Sequence, residues 1–171
     1  MRPRPRRTPK SSVLTACVLA LGLPGASCSA GRTPSLAAEP QFFPSPEPAL
    51  AAFPFSEAVL VGELLFVSGQ IGNAPGSAEL VPGGIVPESK QAPENIRVIL
   101  ARHGSSLDQV VKCTVFLADM HDWPAVNDVY RAQFRGRFPA RSVLGASGLA
   151  RGARVEVECL AFVPQGPRSD S

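Results

Sequence analysis

The sequence predicts an α+β sandwich, a mixed β-sheet with two helices packed on one face and elements in the order β-β-α-β-α-β-β. Three observations carry this. Segments of alternating, β-branched composition occur at 58–61, 64–71, 109–117, from Arg141 through Val143 and Leu144, and at 154–162. Two segments with helical spacing, 88–103 and a run opening at Asp122 and ending near Gly136, lie between them. The last strand alternates cleanly. Val155, Val157, Cys159 and Ala161 form one apolar row, whereas Arg154, Glu156 and Glu158 point the other way. One face of the sheet is therefore covered by helices, and the other is polar or an interface.

The 171 residues suit one domain plus an appendage. The net charge of +3 is concentrated at the start: Arg2, Arg4, Arg6, Arg7 and Lys10 precede any acid. Without those five, 12 basic residues face 14 acidic ones, a net of −2 that leaves no electrostatic footprint for nucleic acid. The basic run leads into an apolar stretch of 11 residues, 13–23. A membrane-spanning helix needs about 20 such residues, so residues 1–30 are expected to be a signal peptide. Cys28, after Gly25-Ala26-Ser27, is a lipidation candidate, with Gly25 where leucine is usual. Ordinary cleavage after Ala30 or Ala38 is the other exit. The expected location is periplasmic or membrane-anchored, otherwise secreted. The twin arginines Arg6-Arg7 lack the hydrophobic pair of a twin-arginine signal.

Residues 31–53 read as a semi-rigid linker, with X-Pro pairs from Thr33-Pro34 to Phe53-Pro54 and no helical or strand period. The domain is expected over 54–164, with a disordered tail at 165–171. Its first two strands form a hairpin turning at Gly62-Glu63. Ser68-Gly69-Gln70 closes the second strand and is not a nucleophile elbow, because no helix follows. A loop rich in Gly and Pro holds a strand remnant near Leu80-Val81. The first helix places Ile96, Ile99 and Leu100 at helical spacing and stops at Gly104; Pro93 should bend or delay it. The next strand sets Val111, Cys113, Val115 and Leu117 on one face. Asp122 then caps the second helix, with Pro124 in its first turn. The uncovered face, expected to carry Leu65, Val67 and Phe116, implies an oligomer.

Around Gly148 and Gly152 the last two strands read as a hairpin. Centred between Leu149 and Ala150, it sets Arg141 opposite Glu158 on one face; a one-residue slip separates them. Solvated surface charges are the alternative. His103 and His121 have no metal-ligand spacing around them. Cys113 and Cys159 lie on apolar strand faces, by default as buried thiols, although an oxidising compartment lets them pair if adjacent.

The residues PFSEAV (54–59), GELLFVSGQIG (62–72), KCTVFLADM (112–120), WPAVNDVY (123–130), FPARS (138–142) and GARVEVE (152–158) follow one another as in the reactive intermediate deaminase family, also called Rid or YjgF. The chain resembles that family over about residues 54–163. The resemblance implies a chorismate-mutase-like homotrimer with clefts between subunits. It implies hydrolysis of 2-enamine and 2-imine acids to 2-oxo acids and ammonia, with no metal and no organic cofactor. It further implies that Arg141 grips the substrate carboxylate, that the Val143 backbone also contacts it, and that Glu158 orients the attacking water. Ser68, Asn127 and Phe55 would line the cleft. Phe55 stands where many members have tyrosine, and Val143 where well-known members have cysteine.

Two further readings stand beside the deaminase: a trimer that binds small carboxylates or acts as a scaffold without turnover, and a ribonuclease. The acidic mature charge argues against the ribonuclease. The membrane enters only through the possible lipid anchor.

Overall fold

The computed structural model describes residues 39–134 and 136–164. The expected signal peptide, the lipidation candidate Cys28 and the tail at 165–171 lie outside the described residues. The described chain forms one six-stranded sheet: β1 (Gln41–Phe43), β2 (Ala58–Val61), β3 (Leu64–Ile71), β4 (Val110–Leu117), β5 (Ala140–Gly145) and β6 (Val155–Phe162). The strand order is β1-β2-β3-β6-β4-β5, antiparallel except for the β4–β5 pair. Two long helices, α2 (Ile85–Arg102) and α3 (Trp123–Gln133), pack against each other, and α2 lies on β3 and β6. A four-residue helix, α1 (Pro48–Ala51), precedes β2.

The expected α+β class, with two helices on one face of a mixed sheet, is the fold observed. The hairpin between the last two strands is not. α3 crosses from β4 to β5, and a crossover of that kind delivers the next strand parallel to the first. β5 therefore takes the edge beside β4, and β6 inserts between β3 and β4. Its inward residues Val155, Val157, Cys159 and Ala161 are all at least 96% buried, as a central strand requires.

This topology changes which residues share a face. Cys113 is paired with both Arg141 and Cys159, whereas Thr114 is paired with Ser142 and Glu158. Arg141 thus belongs to the helix-facing row and Glu158 to the opposite face. The expected Arg141–Glu158 opposition fails because an intervening strand, with its own register, lies between them. Leu65 and Val67 are likewise on the buried, helix-facing side. The uncovered face carries Phe42, Val61, Leu64, Phe66 and Leu144, together with Phe116. Val111 is exposed because a bulge between Val110 and Lys112 turns Val110 inward in its place.

The domain also starts earlier than its Pro-rich prelude suggests. Within 31–53, read as a linker, β1 pairs with β2, and the Glu57 amide donates to the Phe43 carbonyl at 2.8 Å. The Phe43 ring stacks on His103 at 4.2 Å, beside the buried Glu57 carboxylate that bonds Arg102 at 2.6 Å and His103 at 3.1 Å. A three-residue strand has no readable period; only these long-range contacts define it. Phe43→Ala is expected to lower the unfolding free energy by about 1 kcal/mol, read as a smaller denaturant midpoint at unchanged slope.

α2 begins three residues before Glu88 and runs through Pro93 without breaking. Asp122 makes no side-chain cap to α3. Its carboxylate instead accepts from Arg154 Nε and Nη2, at 2.9 and 2.7 Å, tying the start of α3 to the start of β6. The bridge between Asn73 and Leu80 matches the expected strand remnant. Cys113 and Cys159, directly opposed across β4 and β6, form a disulfide, so they are not two free thiols.

Candidate active site

Two cavities bring together chemistry-bearing side chains of the sheet and helices. The first opens beside β5 and α3. Arg141 projects from β5 toward the helix, its Nη2 donating to Asn127 Oδ1 at 2.7 Å. Its guanidinium carbon lies 4.5 Å from the centre of the Tyr130 ring, within cation–π range. Asn127 and Tyr130 are three residues apart on α3 and so share one helix face. Together with Phe138 and Pro139 these residues line a cavity of about 280 Å³. Burial pushes the Tyr130 hydroxyl up to about 12, against the opposing pull of the Arg141 charge. That hydroxyl is buried without a partner among the described residues, so Tyr130 serves Arg141 through its ring. The guanidinium is held from two sides and keeps further N–H donors for an anion.

The second cavity, of about 260 Å³, lies beside β3 and β6 and is lined by Phe55, Gly69, Gln70, Arg151 and Glu156, among others. Burial, and then repulsion from Glu158, raise the Glu156 carboxyl above the usual carboxylate range. The local backbone makes room for it. Between Val67 and Gln70 the ladder slips, so that Ser68 and Gly69 together oppose Glu158. This bulge brings Gly69 against Glu156, and a Cβ at Gly69 would overlap the Glu156 carboxylate. Gly69→Ala is therefore expected to push the Glu156 side chain out of this position, which a crystal structure of the variant checks.

Of the residues singled out in the sequence, Arg141 and Asn127 come together in the first cavity, and Phe55 stands in the second. Ser68, Val143 and Glu158 line neither. The Ser68 hydroxyl is engaged by the Ser56 carbonyl at 2.7 Å, and the Val143 side chain packs against the core. Sequence reasoning missed Glu156 and the cradling role of Tyr130. Alternation cannot separate Glu156 from Glu158, which share a face; the spacing of Asn127 and Tyr130 was the available signal for the second. Within one chain the two cavities do not meet. Arg141 is level with Cys159, two strand spacings (roughly 10 Å) from β6, and Glu156 lies three residues (roughly 10 Å) further along β6 on the other face of the sheet.

A family model described as Endoribonuclease L-PSP matches residues 46–163. The 2-iminobutanoate/2-iminopropanoate deaminase of Capra hircus is 50% identical over 114 residues, covering 67% of this chain and 82% of that protein. The Homo sapiens protein of the same name is 45% identical over 114 residues, with 67% and 82% covered. Among solved structures, a Rid-family protein of unknown function from Yersinia pestis superposes with a TM-score of 0.68 at 34% identity, covering 73% of this chain and 100% of that one. A putative endoribonuclease from Thermotoga maritima gives 0.64 at 40% identity, with 73% and 94% covered.

Proposed function

We propose that this chain, which belongs to the Rid/YjgF family matched by the Endoribonuclease L-PSP model, hydrolyses 2-imine and 2-enamine carboxylic acids to 2-oxo acids and ammonia. The observation that carries the reading is the guanidinium of Arg141, cradled by Asn127 and Tyr130 and presented to a cavity. A planar guanidinium binds a carboxylate bidentately and so fixes the adjacent imine carbon in space. Water adds to that carbon while a carboxylate accepts its proton and the imine nitrogen is protonated. The carboxylate passes the proton it took from water to the nitrogen of the resulting carbinolamine and removes the hydroxyl proton. The oxygen lone pair closes the C=O bond as the C–N electron pair leaves with nitrogen as ammonia. Orientation and modest acid–base help suffice, because the imine is already electrophilic.

For the carboxylate that handles water, Glu156 is favoured over Glu158, since it lines a cavity and its proton affinity is raised. Glu156 and Arg141 lie too far apart in one chain to hold the same small molecule. A second copy bringing its Glu156 to the first copy's Arg141 would complete the site. The uncovered apolar face with Phe42, Leu64 and Phe66 supports such an assembly, and a homotrimer is the form we propose. Sedimentation velocity measures its mass. Export, with Cys28 as the lipidation candidate, is part of the same reading. The basic-then-apolar N-terminus supports it, as does the buried disulfide, a bond that persists in oxidising compartments.

The test generates imino acids in situ with an amino-acid oxidase and follows their trapping by semicarbazide, with and without the protein. Faster imine loss with the protein supports the reading. Binding of small carboxylates with no acceleration for any imine would leave a non-catalytic carboxylate binder. Glu156→Gln is expected to lower kcat about a hundredfold or more, and Glu158→Gln far less. Because Glu156 must be ionised to accept a proton, the rate should fall on acidification from a pH above the ordinary carboxylate range. Its raised value also means that ionised Glu156 weakens the fold, a penalty that grows as pH rises through its folded pKa. Glu156→Gln removes that penalty, so the variant should be no less stable at neutral pH, which separates lost chemistry from lost folding.

A further inference from the structure

The Glu156 cavity has a second wall that the hydrolysis does not use. Leu50 of α1, Phe53, Phe55 and Ile71 line it. Phe53 and Phe55 are 48% and 47% exposed, with ring centroids 6.1 Å apart and tilted by 36°. The Phe53 amide donates to the Leu50 carbonyl at 3.0 Å, so the turn that ends α1 presents both side chains together. Two aromatic rings left half in water beside the Glu156 carboxylate form an apolar wall with a few polar groups around it, the pattern of a small-molecule site. The goat and human relatives are named for 2-iminobutanoate and 2-iminopropanoate, whose side chains are ethyl and methyl. Groups so small would leave most of this wall in water. Glu47 and Glu156 outnumber Arg151 among the charges lining the cavity, which disfavours a side chain with a second carboxylate.

Resting on the deaminase reading, we infer that this cavity receives the substrate's side chain and that the preferred imino acids carry a branched aliphatic or aromatic group, of the kind formed by oxidising leucine or phenylalanine. Leu50 and Phe53 are then specificity-determining residues contributed by the segment before β2. Burying each additional carbon favours binding by about fourfold.

The full chain should be compared on imines made from alanine, 2-aminobutanoate, leucine and phenylalanine. The leucine-derived imine is expected to exceed 2-iminobutanoate in kcat/KM by about tenfold. Leu50→Ser and Phe53→Ser should each shrink that ratio to within about threefold. A second arm, independent of turnover, measures calorimetric binding of 4-methyl-2-oxopentanoate against 2-oxobutanoate. Tighter binding of the branched acid, lost in Leu50→Ser, supports the side-chain cavity even if no imine is hydrolysed; in that case the deaminase reading alone falls. Equal affinities and equal rates for large and small side chains, unchanged by both serine variants, overturn the inference.

Discussion

Arg141→Ala is expected to lower kcat/KM for imine hydrolysis by about 100- to 10,000-fold. The side chain lines its cavity, with one N–H on Asn127 and the Tyr130 ring 4.5 Å from its guanidinium carbon, which leaves further donors for the substrate carboxylate on the proposed reading. Each hydrogen bond to a charged group is worth about 1.5–3 kcal/mol, and a bidentate clamp makes two. Part of the loss falls on KM, because the carboxylate binds in the ground state. The rest falls on kcat, because an unclamped imine no longer holds its carbon in line with the water. Arg141→Lys should recover little, since a point charge cannot reproduce the two-pronged geometry. Arg141 sits on an edge strand and its removal costs one hydrogen bond and one cation–π contact, so the alanine variant should keep its fold, which an unchanged far-UV spectrum checks. Near-wild-type kinetics in a folded Arg141→Ala protein would sink the assignment of the carboxylate clamp.

The second large effect concerns stability. Cys113 and Cys159 close a loop of 46 residues, and both are at least 99% buried. On the chain-entropy account, a loop of that length restricts the unfolded ensemble by about 4 kcal/mol. The double variant Cys113→Ala with Cys159→Ala, or reduction of the native bond, should therefore lower the unfolding free energy by about that amount, read as a drop in denaturant midpoint. Alkylation of the thiols should require unfolding first. The bond also ties β6, which carries Glu156 three residues before Cys159, to β4, the strand against which β5 holds Arg141. An identical midpoint with and without reductant would show that the packed sheet, and not the bond, sets the stability.

Much of this was legible in the residues. The two long helices and the strands from 58 onward announced themselves through local period, and the β-β-α-β-α-β-β order defined the architecture from Ala58 onward. The motif order carried the family resemblance; of the residues it singled out, Arg141, Asn127 and Phe55 line a cavity, whereas Ser68, Val143 and Glu158 do not. What stayed hidden depends on contacts between distant segments. β1 is too short for any period and exists because Phe43 meets His103 and Ala58. The placement of β6 between β3 and β4 follows from the α3 crossover, and adjacency in sequence pointed instead to a hairpin with β5.

The choice between the two glutamates shows where the boundary lies. Alternation determined that Glu156 and Glu158 share the face opposite the core, because side chains on a strand repeat every two residues. Which of them reaches a cavity was decided on another strand, where two residues of β3, Ser68 and Gly69, stand against one of β6. The sequence by itself determined elements and faces, since these follow from the local backbone period. Only the tertiary structure decided registers, neighbours and cavities, since hydrogen-bond pairing across a sheet is settled by the packing of the whole chain.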